Sequence, residues 1–328
     1  METAIKVSGL AKEYKTYSRE ESFRASIRSL FKRDFKIKHA LKGIDFEIKT
    51  GEVIGLIGPN GAGKSTAIKV LCGVLYPTSG EVKSLGYVPW KQRQEYAYNF
   101  GVVFGQKSQL AWDIPPNDTY HLLKVLYDIP EETFKRRLAH MVKLLSLEDI
   151  YKRPTRGLSL GERMKCEVVA ALLHKPKLVL LDEPTIGMDV VAKKQLHNFI
   201  KQINKDYNTT FIITTHDMQD IEKLCKRVII INTGDIVYDG PLADLCKKYV
   251  TNKLIEVRFE EKTHVSLPKR CTLIDKTPYT IKFEVPLKNN KLDPFVAKLV
   301  GEYPVADITI SDPDIEEIIR DIYQHGTR

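Results

Sequence analysis

Residues 58–66 read Gly-Pro-Asn-Gly-Ala-Gly-Lys-Ser-Thr, a glycine-rich turn set between the short apolar run Glu52–Gly58 and a helical stretch stopped at Gly73. Few local sequences restrict a fold so tightly. Glycines let successive backbone N–H groups turn inward to form an anion nest, and the helix that follows adds the partial positive charge of its N-terminus. In such a cradle Lys64 reaches the β/γ-phosphates of a nucleotide and the Ser65 hydroxyl ligates Mg²⁺. The plain alternative is a flexible turn with an exposed lysine. A strand before and a helix after favour the phosphate reading, with Gly58, Pro59, Asn60, Gly61, Ala62, Gly63, Lys64, Ser65 and Thr66 as the binding element.

A second feature lies 118 residues on (182 − 64), where the apolar run Leu178-Val-Leu-Leu ends in Asp182-Glu183-Pro184. A strand buried in a sheet would deliver both carboxylates to its C-terminal edge, the place where α/β proteins put ligands. There Asp182 would hold Mg²⁺, directly or through water, and Glu183 would polarise an attacking water as general base. An acidic strand end that merely caps the next helix is common for a lone Asp-Glu, but not when a phosphate loop precedes it.

Around these two features strands and helices alternate: strands at Lys177–Asp182, Thr209–His216 and Val228–Asn232, helices at Asp189–Asn204 and Asp217–Lys226. That order predicts an α/β core with a largely parallel sheet. Strands at 3–14 and 40–49 flank a basic insertion, 15–38, and a helical subdomain occupies 116–175, its last helix beginning at Arg163. From about Leu254 the texture becomes strand-rich around one helix, which predicts a small α+β domain over 250–328 after a first domain ending near 245.

The chain has 328 residues, 43% hydrophobic and 28% charged, which excludes a disordered, collagen-like or disulfide-stapled protein and suits about two domains. Lys+Arg 51 against Asp+Glu 42 gives +9, which admits nucleic acid, an anionic membrane surface or a polyphosphate as partner. The five cysteines are never closer than 21 residues (246 − 225), so they are read as reduced, mostly buried thiols. No apolar stretch approaches the roughly 18 residues of a membrane span, and the N-terminus lacks the apolar core of a signal peptide. The expectation is a soluble, cytoplasmic chain that reaches any membrane through another subunit.

Two further elements complete a series. Leu158-Ser159-Leu160-Gly161-Glu162 opens the last subdomain helix, and His216 ends a strand. Taken in order, the phosphate loop, Gln106, Leu-Ser-x-Gly, Leu-Leu-Asp-Glu-Pro, Asp189 and His216 resemble the ATP-binding cassette (ABC) ATPases over roughly residues 3–245. The resemblance implies a P-loop NTPase fold: a RecA-like core with an antiparallel β subdomain and a helical subdomain, followed here by the small C-terminal α+β domain. It also implies roles. Tyr14 stacks on adenine, with Tyr17 as fallback; Gln106 senses Mg²⁺ and the attacking water; His216 contacts the γ-phosphate. Ser159 and Gly161 bind the γ-phosphate held by a partner protomer, and Asp189 couples the two sites of a head-to-tail homodimer closed by two ATP molecules. The usual signature is Leu-Ser-Gly-Gly-Gln, so Leu160 and Glu162 are departures from it.

The insertion carries Arg24, Arg28 and Lys32 on one helical stripe, and residues 15–42 total +6 (nine basic minus three acidic). It reads either as a short helix packed on its own domain or as a contact for anionic lipid or a permease. With Phe104–Asp113 and Leu-Ser-Leu-Gly-Glu162 it resembles a bacterial ABC-2-type exporter subgroup, typically assigned to drug or viologen-like cation export. That implies an ATPase on the cytoplasmic face of the plasma membrane, serving integral-membrane permease subunits on two other chains, with no nucleic acid. Trp112 is either an anchor into the permease or a buried residue under the helical subdomain. Polysaccharide or lipid export, and a soluble cassette acting on nucleic acid or ribosomes, stand as alternatives. The C-terminal domain is expected to regulate or to support the dimer.

Overall fold

The computed structural model describes residues 2–17, 35–105, 107–249, 252–265, 267, 271–286, 292–312 and 315–325. Alternating apolar positions build a long hairpin from β1 (Thr3–Tyr17) and β2 (Phe35–Lys49), antiparallel from Thr3↔Lys49 to Tyr17↔Phe35. Ile5, Val7, Leu10, Leu41, Ile44, Phe46 and Ile48 point to its buried face. Both strands run past the expected limits, so the ends of the 15–38 insertion are ladder, and its central residues 18–34, with the basic stripe, lie outside the described residues.

β3 (Val53–Ile57) enters the glycine loop and α1 (Lys64–Leu71) leaves it. Next come β4 (Ser79–Ser84), which pairs with the other edge of β1, the short α2 (Arg93–Ala97) and β5 (Phe100–Phe104). The helical subdomain contributes α3 (Pro116–Leu126), α4 (Glu131–Leu144) and α5 (Leu160–Leu172). Proline stands at the N-cap of both α3 and α4, and Glu131 and Glu132 occupy the first turn of α4, where carboxylates suit the helix dipole. The chain returns to the sheet through β6 (Leu178–Asp182), α6 (Val190–Tyr207), β7 (Thr210–Thr214), α7 (Met218–Leu224), β8 (Arg227–Asn232) and β9 (Asp235–Pro241).

The larger sheet has the order β5-β6-β7-β3-β8-β9. Its pairs are parallel except β8–β9. Leu178–Leu181 and Phe211–Ile213 are buried throughout, as central parallel strands covered on both faces must be. Because β5, β6, β7 and β3 run the same way, Phe104, Asp182, Thr214 and Ile57 all end at one edge, and Asp182 is in register with both Phe104 and Thr214. Residues of the hairpin (Ile5, Leu41, Ile48), of α1 (Ile68, Leu71) and of the sheet (Leu56, Leu180, Ile229) share one core. Cys72, Cys166 and Cys225 are buried thiols, and burial pushes Cys166 and Cys225 up to about 12.

The chain divides into two units, Met1–Pro241 and Leu242–Arg328. The second holds α8 (Leu242–Tyr249), β10 (Asn252–Phe259), β11 (Thr272–Lys276), β12 (Thr280–Pro286), α9 (Leu292–Glu302), β13 (Val305–Ser311) and α10 (Ile315–His325). Its antiparallel sheet, ordered β11-β12-β10-β13, buries Ile255, Val257, Phe259, Ile281, Phe283 and Val285 with Leu299 of α9. This is an α+β layer with its own core.

Candidate functional site

At the end of β3 the chain must turn sharply and still present backbone donors. Gly63 adopts φ 117 at the N-cap of α1, and a Cβ there would meet Ala40 O at 2.5 Å. Gly61, at φ +80, faces open space. No carboxylate sits in the first turn of α1 and no side chain caps it, so its N–H groups are left for an external anion. Lys64, 8% exposed, folds back on the loop: Nζ donates to Gly58 O at 2.5 Å and to Pro59 O at 3.1 Å. Burial pulls its pKa down, while the carboxylates of Glu183 and Asp182 act the other way. The lysine and the carboxylate pair therefore feel one another across the sheet edge. Ser65 and Asn60 are exposed; Thr66 and Pro59 are half-buried.

Asp182 closes β6, where Thr214 Oγ1 donates to its Oδ1 at 2.5 Å. The next residue, Glu183, has φ 55, a left-handed backbone that a non-glycine residue holds at a cost of about 1–3 kcal/mol. Its N–H donates to Thr214 O at 2.9 Å, and its Oε1 meets His216 Nε2 at 2.8 Å. Lys64, Asp182, Glu183 and His216 are thus gathered at the ends of β3, β6 and β7. A residue that no motif singled out fastens this group from below. Asp220, 1% exposed on α7, accepts from Thr185 Oγ1 (2.5 Å), Thr215 Oγ1 (3.3 Å) and His197 Nε2 (2.8 Å). Thr185 lies two residues past Glu183 and Thr215 directly precedes His216. Burial alone would push the Asp220 carboxyl up; the bonds from His197 and Thr185 outweigh it and hold it below the usual range.

Ser159, Gly161 and Asp189 form a second group. Ser159 is the N-cap of α5, so that helix begins at Leu160 rather than at Arg163. Its Oγ accepts from Glu162 N (3.2 Å), and Glu162 accepts in return from Ser159 N (2.8 Å), a complete capping box. Leu160 packs on Gly187, whose φ is +70. Asp189 caps α6, accepting from Ala192 N at 2.7 Å. Among the described residues no hydrogen bond joins this group to Lys64, Asp182, Glu183 or His216. Tyr14 is 38% exposed and sits within the β1–β2 ladder opposite Lys38, three residues before the strand ends at Tyr17, so it does not end that strand as expected. Gln106 and the side chain of Tyr17 lie outside the described residues. Trp112 is 54% exposed with the Arg163 guanidinium 5.5 Å from its ring, which removes the buried reading.

The sequence profile described as "ABC transporter" matches residues 41–186. The ABC transporter ATP-binding protein NatA of Bacillus subtilis (strain 168) is 31% identical over 210 residues, 64% of this chain and 85% of that protein. The chain belongs to the ABC transporter ATP-binding proteins. The linearmycin resistance ATP-binding protein LnrL of the same organism is 28% identical across 87% of this chain and 92% of its own length. The methionine import ATP-binding protein MetN 2 of Enterococcus faecalis is 32% identical, over 64% of this chain and 61% of that protein. A solved structure of the ATP binding subunit of an ABC transporter superposes with a TM-score of 0.63 at 24% identity, over 75% of this chain and 93% of that one. The fold is an ABC cassette with a P-loop NTPase core.

As a member of this family the chain is an ATPase coupled to transport, and proteins of the family work with membrane permease components and dimerise. Among the described residues of this ABC protein no helix is long and apolar enough to cross a membrane. The two departures from the usual signature both have structural partners within the chain, Glu162 in the capping box and Leu160 on Gly187. The capping box was open to sequence reasoning in Ser-Leu-Gly-Glu; the Asp220 network had no short motif to reveal it.

Proposed function

We propose that this ABC subunit powers export of a drug-like or amphipathic molecule through two separate permease chains, at the cytoplasmic face of a bacterial plasma membrane. The observation that carries the catalytic part is the convergence of Lys64, Asp182, Glu183 and His216 at one sheet edge beside an uncapped helix N-terminus. Residues 58–66 would cradle the phosphates of ATP, with Tyr14 against adenine. The site fits magnesium: an exposed Ser65 hydroxyl at the start of α1 and the Asp182 carboxylate are hard oxygen donors of the kind Mg²⁺ takes beside nucleotide phosphates, and Gln106, outside the described residues, would be a further one. Bound there, the ion would neutralise charge on the β- and γ-phosphates. Glu183 would accept the proton of the attacking water; His216 on Oε1 orients that carboxylate and leaves the other oxygen to the water. Ser159 would keep its hydroxyl proton to give to a γ-phosphate, since its oxygen acts as acceptor within the capping box. Gly161 and Asp189 would complete that half-site across a homodimer.

Export is favoured by the breadth of the similarity to a protein named for resistance, which extends beyond the cassette, whereas the protein named for methionine import is matched over 61% of its length. Two experiments test the assembly. Ser159→Arg is expected to abolish ATP-dependent dimerisation, read by light scattering, with monomer ATP affinity near wild type; undiminished dimerisation overturns the trans-site reading. Purifying the tagged chain from membranes is expected to bring two integral-membrane proteins with it, and recovery of ribosomes or DNA-bound proteins in their place contradicts the transport assignment.

A further inference from the structure

We propose that Glu167 is a positioning residue that latches the loop following Gln106 to the helix capped by Ser159, so that the two half-sites on one chain move together. The inference rests on the catalytic reading above and names a regulator of it.

Glu167 lies on α5 and is 3% exposed. A buried carboxylate is costly unless its oxygens are satisfied. Among the described residues, every hydrogen bond to its carboxylate comes from one three-residue stretch that begins two positions past Gln106 (108 − 106). Ser108 Oγ donates to Oε1, Gln109 N donates to Oε1 and Oε2 at 3.1 and 3.0 Å, and Leu110 N reaches Oε1 at 3.5 Å. Among the described residues no ion pair includes Glu167; the loop donors hold it, with a weaker attraction from the Arg163 cation one turn back on the helix. An alanine would fill this helix position without the desolvation; a carboxylate accepting consecutive backbone N–H groups recognises one loop conformation and no other.

The middle residue of the three is tied to the sheet. Gln109 Nε2 donates to Val102 O at 2.6 Å, on β5, the strand whose end is in register with Asp182. The loop is therefore gripped between the edge that carries Asp182 and the helix that carries Ser159. From Ser159 to Glu167 is eight residues, about 12 Å of helix at 1.5 Å per residue. A helix this short is stiff, so displacement of the loop moves Ser159 with it. Exposed contacts, such as the Arg163 guanidinium over Trp112, run beside the latch but carry no buried charge to enforce it.

The test compares full-length wild type with Glu167→Gln, Ser108→Ala and Ser108→Thr in steady-state ATP hydrolysis. Glu167→Gln keeps the size of the side chain but cannot accept on both positions. Ser108 is exposed, so its variants are not expected to disturb folding. The expected result is a kcat lowered about ten- to a hundredfold in Glu167→Gln, the scale of a small misplacement remote from the chemistry. KM for ATP stays unchanged, because the Lys64 loop is untouched. Ser108→Ala shows a smaller loss of the same kind and Ser108→Thr, which keeps the hydroxyl, restores turnover. Wild-type kcat in both Glu167→Gln and Ser108→Ala overturns the latch, as does a loss that merely tracks melting temperature and is not rescued by Ser108→Thr. A wild-type chain that hydrolyses no ATP is a separate outcome: it overturns the catalytic reading and the latch with it.

Discussion

At the scale of single residues, Leu160 and Gly187 fit against one another. A Cβ on Gly187 would stand 2.5 Å from Leu160 Cδ2, and the residue already holds φ +70. Gly187→Ala is expected to cost about 1–3 kcal/mol in urea unfolding, from left-handed strain and overpacking. Combined with Leu160→Gly, the overpacking part should vanish and the pair should be strongly non-additive. Additive losses would show that the two side chains do not meet. The residues of the phosphate loop and the Asp182-Glu183 pair were legible in the sequence because their chemistry is written in contiguous motifs. Glu162 was legible only as a departure, although Ser-x-x-Glu is also a helix-start signal. Asp220 and Glu167 could not be found in advance, since each draws its meaning from partners 35 and 59 positions away that only folding brings near.

At the scale of elements, the strands that announce themselves are those buried on both faces. β6, β7 and β8 are apolar runs with no periodicity to misread, and each was expected within a residue or two. β4, Ser79–Ser84, buries only Val82 and Ser84, and β11 buries nothing, so neither leaves an apolar signal. The end of α5 carries a consequence for pH. His174 follows it, stacked 4.0 Å from Tyr127; its Nε2 donates to Phe100 O at 3.1 Å and its buried Nδ1 has no partner. Burial pulls its pKa from 6.5 to about 4. Between those values the unfolded chain holds the proton and the folded chain does not, so stability falls as pH drops through that window. From pH 7 to pH 5 this histidine should remove about 2 kcal/mol of unfolding free energy. His174→Gln should lack that component, so the gap between wild type and variant narrows on acidification. A gap independent of pH would contradict the buried neutral histidine.

At the scale of the molecule, the absence of an apolar span and the basic balance had left the chain's setting open. Proteins of this family work with membrane permease components, which fits a chain whose described helices include none long and apolar enough to cross a membrane. The charge is partly concentrated in 15–42, which holds +6 of the +9. Among the described residues no hydrogen bond joins the phosphate-binding group to the signature group, and in the proposed homodimer each completes its counterpart on a second copy. In the proposed mechanism the first group is a hydrolytic site with Glu183 as its base. Phosphate release by Glu183→Gln, measured beside ATP binding, tests this most directly. ATP binding is expected to be retained and release lowered by about 10²–10⁴-fold, the contribution of a positioned general base. Release at the wild-type rate would contradict it.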